Sequence, residues 1–77
     1  MTTKQEQVIT DVFDELYETG YARTTNLDGY QNGDYSQQLA ARMLKHLKNE
    51  GWIYKENEYD HTYYPTDRLT QFSRPEL

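Results

Sequence analysis

Asp34-Tyr35-Ser36-Gln37-Gln38-Leu39-Ala40-Ala41-Arg42-Met43-Leu44-Lys45-His46-Leu47-Lys48-Asn49-Glu50-Gly51 carries the period, start and stop of one amphipathic helix over Tyr35 to Glu50. Leu39, Ala40, Met43, Leu44 and Leu47 recur at helical spacing and define an apolar face. Asp34 is the expected N-cap, with Gln37 completing a reciprocal capping box and Ser36 as the alternative cap. Gly51 supplies the stop, because it takes the left-handed conformation that ends helices. At roughly 100° per residue the outward face gathers Gln38, Arg42, Lys45 and Asn49, with small Ala41 between them and His46 at the edge.

Before this helix the pattern predicts another. Thr3-x-x-Glu6 is a capping-box signal, Val8, Ile9, Val12, Phe13 and Leu16 share one face, and Gly20 stands where a stop is wanted. Asp11, Asp14 and Glu18 fall on the opposite face. Residues 21 to 34 show no helical stripe. Tyr21 to Thr25 suits a short strand, while Asp28-Gly29 and Asn32-Gly33 accept positive φ, so a compact loop is expected rather than a full helix.

After Gly51, Trp52-Ile53-Tyr54 and Tyr59-Asp60-His61-Thr62-Tyr63-Tyr64 flank the polar turn Lys55-Glu56-Asn57-Glu58 and predict a hairpin. Pro65 is expected to end its second strand, and Thr66 to cap a short terminal helix bearing Leu69 and Phe72 before Pro75.

A length of 77 residues predicts one domain, residues 1 to 77. So short a chain must bury nearly every apolar residue it has, and its mean hydropathy of -1.11 leaves little surplus. The eight tyrosines extend the core because a phenol ring can be buried with its hydroxyl wet. Tyr54 and Tyr63 are assigned to the core or its edge, and Tyr30 and Tyr35 to exposed contacts. Cysteine is absent, which excludes disulfides and the usual Cys-rich zinc clusters. Without an apolar leader or a run of about 18 apolar residues, a cytoplasmic protein with no membrane association is expected.

The order helix, short strand, loop, helix, hairpin, short helix resembles the winged-helix superfamily of helix-turn-helix DNA-binding domains. Residues 36 to 53, from Ser36-Gln37-Gln38 to Asn49-Glu50-Gly51-Trp52-Ile53, are similar to that family's third helix and first wing strand, and Tyr63-Tyr64-Pro65-Thr66 to the wing's return. The resemblance implies a small α+β winged-helix-like domain whose Tyr35 to Glu50 helix enters the major groove. Two features depart from the family: residues 22 to 34 lack a clear second helix, and Lys55 on the wing faces Glu56, Glu58 and Asp60.

Two functions from different classes follow. The first is a small transcriptional regulator, of the kind a virus or mobile element carries, that binds double-stranded DNA through Gln38, Arg42, Lys45, His46 and Asn49. Arginine suits guanine, glutamine and asparagine suit adenine, and lysine suits phosphate. So small a domain makes few contacts, so a homodimer or a second protein is expected. The second starts from the formal charge of -5. Asp11, Asp14, Glu18, Glu56, Glu58 and Asp60 would occupy a basic protein surface, as a viral inhibitor of a host or defence nucleoprotein (an anti-CRISPR type protein) would. No catalysis is expected, and no cofactor or metal. His46 and His61 lack metal spacing, and neither a phosphate-binding glycine loop nor a cysteine nucleophile is present.

Overall fold

Two hydroxyl-capped helices and the chain segment between them build most of the core, which Ile53 and Leu69 complete. A computed structural model describes residues 3 to 71, the side chain of Thr70 apart. Helix α1 spans Lys4–Thr19, and the Thr3 hydroxyl both accepts from Glu6 N–H and donates to Glu6 Oε1, each at 3.1 Å. Its apolar stripe goes inward, with Val8, Val12 and Leu16 buried and Ile9 and Phe13 partly covered. Gly20 ends it at φ 86°, donating to Leu16 O at 3.1 Å.

The long middle helix, α3, covers Gln37–Asn49. Ser36, in extended backbone, caps it by accepting from Leu39 N–H at 3.1 Å. Asp34 lies too early for that task; its carboxylate instead accepts from Gln7 Nε2 at 3.0 Å. At the other end Gly51 has φ 86° and donates to Lys48 O at 3.1 Å, while Trp52 N–H reaches Leu47 O at 3.0 Å. This pair of reversed bonds satisfies two orphan carbonyls and turns the chain sharply. Ala40, Leu44 and Leu47 are buried against α1, with Leu39 and Met43 partly so.

The segment expected to be a loop is more ordered than its composition implies. Ala22 forms a single antiparallel bridge to Tyr63, with reciprocal bonds of 2.8 Å, so the expected strand contracts to one pairing residue. A 3₁₀ turn, Thr24–Asn26, and a single helical turn, α2 at Asp28–Gln31, follow, with Leu27 fully buried between them. Of the two expected positive-φ glycines only Gly33 adopts one, at 80°. Gly29 is helical, and its small size serves close approach instead: a Cβ there would run into the Tyr35 ring and lie 2.8 Å from Asp11 Oδ2.

Strands β1 (Ile53–Tyr54) and β2 (Tyr64–Pro65) pair antiparallel in the register Ile53 to Pro65 and Tyr54 to Tyr64. Pro65 ends β2, as expected, and is itself paired with Ile53; the second strand is shorter than the expected Tyr59 to Tyr64 run. Helix α4, Asp67–Gln71, returns Leu69 to the core. Arg68 lies 4.1 Å from the Trp52 ring centroid and donates to the Glu50 carbonyl, fastening α4 to the end of α3. The hydroxyl of Thr66, the residue directly before α4, donates to Gly51 O and so ties the start of α4 to the turn after α3. Phe72 and Pro75 lie outside the described residues.

The result is an α+β arrangement of helices around one two-stranded hairpin. Among the described residues no helix is long and apolar enough to cross a membrane. The tyrosine assignments are partly reversed. Tyr35 is only 5% exposed and Tyr30 packs on the core, while Tyr54 is 41% exposed and leans on Tyr64 at 5.8 Å. In a strand, successive side chains alternate, so burying Ile53 turns Tyr54 outward. Tyr63 is half-buried, as expected.

Candidate nucleic-acid interface on α3

The apolar stripe of α3 fixes where its polar residues go. With Ala40, Leu44 and Leu47 turned inward, the residues about half a turn away must face out. Gln38, Arg42, Lys45, His46 and Asn49 are all exposed, and Ala41 beside them is exposed too. Within Gln37–Asn49 the charged residues are Arg42, Lys45 and Lys48, with no acid to neutralise them. Successive members of this set are three residues, about one turn, apart.

Beside the stripe lies a cleft of about 290 Å³ that the sequence does not announce. Arg23, Thr24 and Thr25 form one wall, Gln37 and Ala41 of α3 another, and His61 and Tyr63 of the hairpin the third. The Ala22 to Tyr63 bridge makes it, because pairing those two backbones sets Arg23 and Thr24 alongside His61. A lone β-forming run at Tyr21 to Thr25 is the only signal of this pairing in the sequence, and nothing local identifies Tyr63 as its partner.

Asp60 lies next to the cleft. Hydrogen bonds from Thr62, its side chain first and then its N–H at 3.0 Å, hold the Asp60 carboxyl below its usual range, and Arg23 adds a smaller pull. The carboxylate is thus turned into a local turn of its own chain.

The acidic residues of the second expected surface separate into two groups. Asp11 is half-buried, accepting from the Tyr35 hydroxyl at 2.6 Å and from Gly29 N–H at 3.1 Å. Burial and this carboxylate push the Tyr35 phenol far above its ordinary pKa. Asp11 is therefore a fastening between α1 and the segment before α3, not an element of a solvent-facing acidic row. Asp14 and Asp60 are half-buried, whereas Glu18, Glu56 and Glu58 are exposed. Glu15, also half-buried, has its pKa raised by burial and then by Asp28 and Glu18. Among the described residues no group of three or more His, Asp or Glu side chains is arranged to hold a metal ion.

Neither a protein-family model nor a curated protein sequence matches this chain.

Proposed function

We propose that the chain is a winged-helix-like regulator that binds double-stranded DNA by laying the outer face of α3 in the major groove. One observation carries the reading: Gln38, Arg42, Lys45 and Asn49 are all exposed on one acid-free stripe. A helix fits the major groove in width, arginine and the two amides match base edges there, and small Ala41 permits close approach. The order α1, bridge, α2, α3 and hairpin supports the winged-helix comparison, with α2 a single turn where the family has a helix. Exposed Glu56 and Glu58 are repelled by phosphate, so the hairpin tip stands off and α3 makes the approach. A net charge of -5 keeps non-specific attraction weak, and binding depends on the local field of Arg42, Lys45 and Lys48.

Titration of a random duplex at two salt concentrations tests this. Binding should weaken as salt rises, and the Arg42→Ala, Lys45→Ala double variant should lose about tenfold or more, since each charge-assisted contact contributes on the order of 1 kcal/mol or above. Unchanged binding in the double variant removes the reading. A second reading, an acidic surface for a basic protein, is supported by the exposure of Glu18, Glu56 and Glu58. Reversing these three to lysine should abolish capture of a basic partner while leaving the fold intact; capture unaffected by the reversal ends that reading.

A further inference from the structure

We infer that the cleft beside α3 is a phosphate site, built by Arg23, Thr24, Thr25, Gln37 and His61 and filled by a backbone phosphodiester of the duplex that α3 reads. This deepens the preceding reading and, for the DNA source of the phosphate, rests on it.

The charge of the lining is one-sided. Arg23, Thr24, Thr25, Gln37 and His61 line about 290 Å³ together with Ala41 and Tyr63, and no lining residue is a carboxylate, in a chain with 13 acidic side chains. Arginine forks onto two phosphate oxygens, and threonine hydroxyls and the glutamine amide donate to the remaining ones. A phosphate diester with part of its sugar fits such a volume, whereas the small, open space does not enclose a drug-sized apolar ligand. Tyr63, half-buried, lines the third wall with His61.

Its position gives the site its meaning. Gln37 and Ala41 belong to α3 itself and flank Gln38 and Arg42, so an anion in the cleft sits at the edge of the stripe. A helix in a major groove has a phosphate strand on each side. The bridge between Ala22 and Tyr63 holds the outer wall by backbone bonds, so the site exists before a ligand arrives. Asp60 carries an opposing charge, and Arg23 already acts on it.

Arg23 and His61 are exposed, so Arg23→Gln and His61→Ala leave the core untouched. Two measurements suffice: amide chemical shifts of the whole chain titrated with inorganic phosphate, and duplex affinity against salt for wild type, Arg23→Gln, His61→Ala and Asp60→Asn. Phosphate should move the Thr24, Thr25 and His61 amides, and Arg23→Gln should abolish the movement. On duplex DNA, Arg23→Gln should lower affinity several-fold regardless of base sequence and flatten the log–log salt slope by about 0.9, the value for one phosphate. His61→Ala should weaken binding less, and Asp60→Asn should strengthen it. Should Arg23→Gln leave both slope and phosphate response unchanged while the Arg42 and Lys45 double variant loses binding, the cleft proposal is overturned and the α3 reading survives. If duplex binding is absent but inorganic phosphate still moves the cleft amides in an Arg23-dependent way, the site takes free phosphate and the DNA reading fails. No response to either ligand overturns both.

Discussion

Helices α1 and α3 are both capped by a hydroxyl, both stopped by a glycine at φ 86°, and both apolar on one side, yet their charged residues meet different surroundings. On α1 the acids begin to turn inward: Asp11 is held by Tyr35 and Gly29, and Asp14 and Glu15 are half-buried. On α3, Arg42, Lys45 and Lys48 stand in solvent. The difference comes from what lies across each polar face. The Leu27 to Tyr35 segment folds over one flank of α1 and covers it, while no described element covers the outer side of α3. A charged stripe in a sequence is thus a surface only if the rest of the chain leaves it uncovered.

Removing Asp11 should break this contrast most strongly. Asp11→Ala leaves the buried Tyr35 hydroxyl and the Gly29 N–H without their acceptor, and should cost roughly 3 kcal/mol, since one buried unsatisfied group costs about 1 to 3. Urea unfolding measures it, with Arg42→Ala as the companion on α3, expected to stay within about 0.5 kcal/mol of wild type. Comparable losses in both would mean that the two faces do not differ in the way described.

Cap removal gives a smaller and sharper comparison. Ser36→Ala should destabilise by about 1 kcal/mol, and Asp34→Ala by a few tenths, because Ser36 holds the Leu39 amide while Asp34 makes only an exposed bond to Gln7. The reverse ranking in thermal melts would restore Asp34 as the cap.

The smallest effect concerns Glu15. Its folded pKa is raised, so its favourable contribution is present below the unfolded value and is lost as pH rises through the folded one. Glu15→Gln should therefore raise the melting temperature at pH 7, and the gain should shrink toward zero as the pH falls below about 4, where wild type is protonated as well. A gain that persists in acid would point to packing, not charge.

Much of the fold was legible where one signal sufficed. The apolar periods of α1 and α3, the Thr3 cap and the Gly20 and Gly51 stops each depend on residues within a turn of one another. Residues 22 to 35 were legible as turns but not in their packing, because their order is imposed from a distance. Leu27 is buried by the long helices, Tyr35 is drawn in by Asp11, and Gly29 is small because the Tyr35 ring crosses it. Turn-forming composition records none of that. The site divides in the same way. The α3 stripe follows from helical spacing alone, but Arg23, Thr24 and His61 meet only through a bridge between distant residues.

That bridge has a kinetic corollary. Ala22 precedes α3 and Tyr63 follows the hairpin turn, so their two mutual bonds close the chain into a loop around the helix. Such long-range closure carries the largest chain-entropy cost and tends to form late. Hydrogen exchange at the Ala22 and Tyr63 amides should then proceed as a pair, at one shared rate, and faster than at the α1 and α3 amides. Two backbone protons would thereby report when the hairpin lets go of the rest of the molecule.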